Sequence, residues 1–278
     1  MRRGVEIAAA GLVALAALGC SLEERFIFFP YAEISETPSR YGVSFEDVYF
    51  RTEDGLTLNG WFAPYPRASV TLLWFHGNAG NIGHRSEQLK LLHDRIRTHI
   101  FIFDYRGYGR SEGSPSEEGT YRDAAAALGH LRSRMEVDPE RIVFFGQSLG
   151  AAVATELAAR ESCMALILEA PFTSIRDMAE AALPLLPIGS LLRTRYETVR
   201  RIREVRAPVL VLHGELDEVV PFAQGRRVFE AAPEPKTFHA IRGSRHNDAY
   251  VTGGEAYLAS LKDFIDRAEA RTGGTRKK

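Results

Sequence analysis

Apolar residues along the chain fall into two rhythms. Short runs rich in Val, Ile, Leu and Phe alternate with longer stretches whose apolar positions lie three or four residues apart. Residues 44–51 alternate apolar and polar, Asp54-Gly55 marks a hairpin turn, and 56–63 is the returning strand. Residues 70–75 form a nearly continuous apolar run, as a strand covered on both faces requires. Similar runs at 99–103, 141–145, 165–168, 209–212 and 236–241 bring the strand candidates to eight. Helical patterns lie between the later ones. Residues 87–97 place Leu89, Leu92 and Ile96 on one face, 121–135 is Ala-rich and stops before Asp138-Pro139, and 149–160 is Ala-rich. Pro221-Phe222 opens another helix, and 257–267 is the last. Strands alternating with helices predict an α/β fold, a mostly parallel sheet with helices on both faces. The leading hairpin predicts an antiparallel edge. One segment, 171–203, breaks the alternation: it is apolar, and Pro184, Pro187 and Gly189 interrupt any long helix. It is either an ordinary crossover or a small cap over a site.

The first residues follow a different pattern. Arg2 and Arg3 precede a 13-residue apolar stretch, 7–19, shorter than the about 20 residues a bilayer span needs. Basic start and short apolar run describe a secretory signal peptide. Its end, Leu18-Gly19-Cys20, resembles a bacterial lipoprotein box, although Ala17 stands where Leu is commoner; the resemblance implies lipidation of Cys20. The alternative is a signal anchor continuing through Leu22, against which Glu23, Glu24 and Arg25 place charges costly in a bilayer core. Both readings put the protein outside the cytoplasm at a membrane, facing the periplasm or the cell exterior. The expected organisation is a leader at 1–19, a membrane-proximal segment at 20–43, one domain at 44–270 and a basic tail at 271–278.

Composition narrows the class. A chain of 278 residues buries a full core without staples, and 45% hydrophobic with 26% charged residues is ordinary for a globular protein. A net charge of −1 argues against a nucleic-acid partner, and the near-neutrality averages an acidic body with two basic ends. Two cysteines make neither a disulfide framework nor a Cys-rich zinc site. With Cys20 acylated, Cys163 is the one remaining thiol, in an apolar run that suits packing.

The chemistry concentrates at loops after strands. Gly146-Gln147-Ser148-Leu149-Gly150 follows an apolar strand and precedes an Ala-rich helix. In that context G-x-S-x-G is a nucleophile elbow, a sharp turn that raises the serine hydroxyl above the sheet. On its own it is a Gly-rich turn with Ser148 as helix N-cap. A nucleophilic serine needs a base, and the base an orienting acid. Asp217 and His246 each lie beyond the end of a later strand, 69 and 29 residues further on in turn, and parallel strands bring such loops to one side. Glu215, Glu218 and Glu169 compete for the acid's place. His76 and His213, each before a glycine at a strand end, suit structural roles; His84, His93, His99, His130 and His239 have no evident partner. The Gly-rich turn at His76-Gly77-Asn78-Ala79-Gly80-Asn81 offers backbone N–H groups for an oxyanion, Asn78 first and Ala79 as alternate, with Leu149 as second donor. A plain loop or an unrelated anion nest is the simpler reading of that turn. Neither a G-x-G-x-x-G nor a Walker motif supports nucleotide binding.

HGNAGN at 76–81, DYRGYGRSEG at 104–113, GQSLG at 146–150, GELDEVVP at 214–221 and the SRHND block around His246 together resemble the α/β-hydrolase superfamily. Within it, these blocks and Phe26-Ile27-Phe28-Phe29-Pro30 resemble small membrane-associated serine hydrolases that cleave lipid esters or the thioesters of acylated proteins. The resemblance implies an eight-stranded sheet with its second strand antiparallel, and places the 171–203 cap after the sixth strand. It implies a Ser148, His246 and Asp217 triad acting on acyl esters or thioesters through an acyl-enzyme, with no metal or organic cofactor. The 104–113 block is scaffold beside the site. A peptidase or amidase of the same fold is the second reading, and a tethered non-catalytic binding protein the third. Oligomeric state is not legible in the sequence.

Overall fold

A computed structural model describes residues 23–182 and 192–275. Cys20 and the leader, residues 183–191 of the expected cap, and the last three residues of the tail lie outside the described residues. Eight strands form one sheet: β1 (Glu46–Arg51), β2 (Thr57–Ala63), β3 (Thr71–Phe75), β4 (His99–Phe103), β5 (Ile142–Gln147), β6 (Ala165–Glu169), β7 (Val209–Gly214) and β8 (Lys236–Ile241). Their spatial order is β8-β7-β6-β5-β3-β4-β2-β1. β2 runs antiparallel to both of its neighbours. The other pairs are parallel. Each strand lies where the apolar runs predicted it, and the second strand is the reversed one.

The six longer helices are α1 (Ser86–Ile96), α2 (Glu117–Ser133), α3 (Leu149–Arg160), α4 (Ile175–Ala182), α5 (Phe222–Ala231) and α6 (Gly254–Thr275). The near-continuous apolar strands are explained by a core on each face. Leu73, Phe75, Phe101, Phe103, Phe144 and Leu166 point toward α2 and α3. Their alternate neighbours Leu72, Trp74, Ile100, Ile102, Phe145 and Ile167 point toward α1 and α6. Each such large side chain removed from water contributes roughly 1.5–3 kcal/mol. Helix α2 begins at Glu117, before the predicted Tyr121, because the Ser116 side chain accepts from Gly119 N and caps a polar first turn. The apolar rhythm is silent there.

Residues 27–43 do not trail from the sheet. Phe28 and Val43 are core residues. Phe29–Pro30 pairs in parallel with Ala79–Gly80, directly after β3. Tyr31 N donates to Gly80 O at 3.2 Å, and its carbonyl accepts from Gly109 N at 3.1 Å. Glu23 accepts from the backbone N–H groups of Arg193 and Thr194 across the cap segment. The N-terminal strap therefore runs from the Arg193–Thr194 segment to the loop after β3.

Candidate active site

Between β5 and α3, Ser148 adopts φ 51° and ψ −113°, a region that costs a non-glycine residue on the order of 1–3 kcal/mol. Its flanking glycines permit the turn. A Cβ on Gly150 would lie 2.0 Å from Phe75 O, and one on Gly146 2.4 Å from Gly150 O. The Ser148 side chain makes no capping bond to α3, so its hydroxyl is not spent as an N-cap. Ser148 instead lines a cavity of about 910 Å³, together with His246, Asn78, Ala79 and Leu149.

Asp217 sits on the loop after β7 with its side chain out of solvent. Oδ1 accepts from Val219 N at 2.9 Å and Val220 N at 2.8 Å. Oδ2 lies 2.8 Å from His246 Nδ1 and 3.4 Å from His213 Nε2. Burial alone would push this carboxyl up, but the hydrogen bonds from His213 and His246, with the imidazole's charge, hold it well below the usual carboxylate range. An ionised carboxylate only accepts, so His246 Nδ1 carries the proton and donates, and Nε2 keeps its lone pair. Glu215 is exposed, and Glu218 accepts from the His246 backbone N–H at 3.3 Å, not from the ring. Of the acids proposed from sequence, Asp217 is the one hydrogen-bonded to the imidazole.

Glu169, at the end of β6, lines the same cavity. Its oxygens accept from Gln147 Nε2 at 2.8 Å and Tyr257 Oη at 2.6 Å. Gln147 also donates to Gln88 Oε1 at 3.1 Å and accepts from Trp74 Nε1 at 2.8 Å. Burial pushes the Glu169 carboxyl up, against the opposing effect of Tyr257 and Gln147.

The loop after β3 is braced from both sides. Asn78 Nδ2 donates to Ile27 O at 2.5 Å, and its Oδ1 accepts from Tyr108 Oη at 2.8 Å and from Phe29 N at 3.3 Å. The side chain is thus consumed in fixing the loop, and the backbone is what it offers the cavity. Leu149 is the first residue of α3, where an N–H has no intrahelical acceptor. Beneath the loop, Tyr105 Oη donates to His76 O at 3.0 Å and Asp104 Oδ1 accepts from Ile82 N at 2.9 Å. The 104–113 block is therefore scaffold that holds this turn. On the cap side Phe172, Ile175 and Met178 line the cavity.

Most of the remaining histidines have structural partners, although His84 also lines the cavity. His213 Nε2 lies 3.0 Å from Val220 O and His76 Nε2 3.4 Å from Asp104 Oδ1, both fully buried. His84 joins the capping box of Asn81, His93 Nε2 meets Pro64 O at 3.0 Å, His99 Nδ1 accepts from Tyr65 N at 3.1 Å, and His130 stacks on Phe50. His239 lies half-buried on β8. Burial pushes the Cys163 thiol up to about 12, as suits a packed and unreactive cysteine. Among the described residues no cluster of three His, Cys, Asp or Glu side chains could hold a metal ion.

Three features of the site were not foreseen from sequence: the contacts of the strap at 27–31, noted only as a resemblance over 26–30; the hydrogen-bonded ring of Gln147, Glu169, Tyr257 and Gln88, of which Glu169 alone was named, as a possible acid; and Arg85, which lines the cavity. The strap's pairing is two residues long and has no periodicity to read. The ring joins β5, β6, α1 and α6 through polar side chains that look solvated in sequence. Arg85 sits just before α1, where a basic residue reads as surface.

Residues 70–201 match the family model for the alpha/beta hydrolase fold, and residues 187–250 match that of serine aminopeptidase, S33. An uncharacterized protein of Mycobacterium tuberculosis is 39% identical over 261 residues, covering 91% of this chain and 92% of its own. The alpha/beta hydrolase domain-containing protein WAV2 of Arabidopsis thaliana is 36% identical, covering 92% of this chain and 91% of its own. In structure, the chain is similar to an esterase of Pyrococcus furiosus, with a TM-score of 0.72 at 17% identity over 87% of this chain and 98% of that one. A reversed second strand, a strained serine between β5 and α3, and relatives matched over nearly their whole length agree: the chain belongs to the α/β-hydrolase superfamily.

Proposed function

We propose that the protein is a serine hydrolase that cleaves carboxylic ester or thioester bonds of acyl substrates. The observation that carries the reading is the 2.8 Å bond from His246 Nδ1 to a buried, ionised Asp217, with His246 and Ser148 lining one cavity. His246 Nε2 takes the Ser148 proton as Oγ attacks the acyl carbonyl. The backbone N–H groups of Asn78 and Leu149, with Ala79 as alternate, receive the oxyanion. His246 then protonates the departing alcohol or thiol, and water hydrolyses the acyl-enzyme by the same route. Phe172, Ile175 and Met178 form an apolar wall for the acyl chain. Exposed Phe29 and Tyr31 at the rim favour substrates presented at a lipid surface. That agrees with an exported protein tethered through a lipidated Cys20, or held by its signal anchor.

The match at 187–250 favours a serine aminopeptidase as the second reading. An aminopeptidase must bind a substrate ammonium, and Glu169 is the one carboxylate lining the cavity among the described residues. Both its oxygens already accept hydrogen bonds, and burial disfavours its charge, so the ester reading leads. The test is a p-nitrophenyl ester series of increasing chain length beside thioester and aminoacyl-amide panels. Ester or thioester turnover that disappears in Ser148→Ala is expected. Turnover confined to aminoacyl amides would replace this reading with the peptidase one.

A further inference from the structure

Arg85 is the cavity's cation. Nη2 donates to Ala79 O at 2.8 Å, while Nε is buried without a partner. Among the described residues it stands in no ion pair; Asp104 and Glu169 act on it only at longer range. Arg85 is half-buried, with Nε out of solvent and the rest of the guanidinium facing the cavity; a guanidinium stays charged, and one partly desolvated without a carboxylate partner gains from an anion that completes it. Its place relative to the nucleophile is fixed by Gly77. Arg85 Nη2 and Ser148 Cβ each lie 3.8 Å from the point a Gly77 Cβ would occupy, so they are within twice that distance of each other. The two sides of the cavity also differ. β5, which delivers Ser148, lies between β6 and β3. The apolar wall of Phe172, Ile175 and Met178 follows β6, whereas Arg85 follows β3. An acyl chain laid on the apolar wall directs the alcohol or thiol side of the scissile bond toward Arg85.

We propose that Arg85 is an anion subsite for the leaving group, and that the substrates are acyl esters or thioesters whose alcohol or thiol carries a carboxylate or phosphate a short tether from the scissile oxygen or sulfur. The inference rests on the serine-hydrolase reading and adds the substrate class. The covalent step is unchanged: the acyl group passes to Ser148 Oγ, the leaving group departs with the proton from His246, and water releases the acid. Arg85 supplies charge-assisted hydrogen bonds to the anion before and during that step.

The test compares three butyryl esters that share one acyl group: the 1-butyryl ester of glycerol, the 3-butyryl ester of glycerate and the 1-butyryl ester of glycerol 3-phosphate. For the wild type, kcat/KM for at least one anionic ester should exceed that for the neutral ester by about tenfold to a hundredfold. The larger of the two ratios identifies carboxylate or phosphate. Arg85→Gln should bring the ratio close to one, and Arg85→Lys should restore part of it. An Arg85 that only braces the Ala79 carbonyl would lower all three substrates alike and leave the ratio intact. A second measurement needs no variant: glycerol 3-phosphate or glycerate should inhibit wild-type hydrolysis of p-nitrophenyl butyrate competitively, and glycerol should not. Turnover of p-nitrophenyl butyrate with no anionic preference and no such inhibition overturns the anion subsite and leaves the hydrolase reading standing. No turnover of any ester by folded protein overturns both.

Discussion

Asp217 and Glu169 stand at the ends of neighbouring strands, β7 and β6, on the same rim of the sheet, and both are buried carboxylates. Their surroundings drive them in opposite directions. Two backbone N–H groups and two imidazoles surround Asp217 and keep it ionised. An amide and a phenol surround Glu169, so burial prevails and its carboxyl is pushed up. Position at or beyond a strand end is therefore not enough to fix a carboxylate's charge. What separates the two is the balance between burial, which is deeper at Glu169, and the number of hydrogen bonds donated to the carboxylate, which is larger at Asp217.

The comparison breaks most sharply under substitution. Asp217→Asn should lower kcat about 10³–10⁴-fold, since an amide no longer holds the tautomer with Nε2 free. Glu169→Gln should cost under about tenfold, because a glutamine can still accept from Gln147. Steady-state kinetics with one activated ester checks both, and the reverse ranking would move the orienting acid to β6. His213→Gln tests a subtler point. This fully buried ring touches Asp217 and the Val220 carbonyl, so its loss should lower kcat about tenfold with KM little changed, by loosening the carboxylate that orients His246.

The smallest expected effect lies in stability against pH. Asp217 is depressed below its ordinary 3.8, so its contribution is present above that value and is lost as pH falls toward the lower folded value. Glu169 is raised above its ordinary 4.5. Between 4.5 and its higher folded value the native state keeps a proton the unfolded chain gives up, so its effect on stability declines as pH rises. Thermal melts across that range should show Glu169→Gln gaining Tm relative to wild type as pH rises. Asp217→Asn should instead approach wild type as the medium is acidified. Parallel curves for the two variants would remove the electrostatic distinction.

Much of the fold was legible because it follows from local pattern. The apolar runs located every strand of the sheet, and the Asp54-Gly55 turn marked the antiparallel pair β1 and β2. The serine elbow was legible because glycine alone fits at 146 and 150. The choice among Asp217, Glu215, Glu218 and Glu169 rested on the resemblance, which implies Asp217; the residue pattern leaves it open, since each lies at or beyond the end of a strand and only side-chain packing separates them. The contacts of the strap at 27–31 with the site were not legible for a related reason. It joins the site through one bond donated by Asn78, one accepted by Asn78 and a two-residue pairing, with no rhythm of its own.

Ser148 acting as a nucleophile activated by His246 and Asp217 has a direct chemical signature. The most direct test is to react the folded protein with a fluorophosphonate and map the adduct by peptide mass spectrometry. A single adduct on Ser148 is predicted, absent in Ser148→Ala and formed much more slowly in Asp217→Asn. Folded wild-type protein that takes up no label, or takes it up at another residue, would rule out Ser148 as the nucleophile.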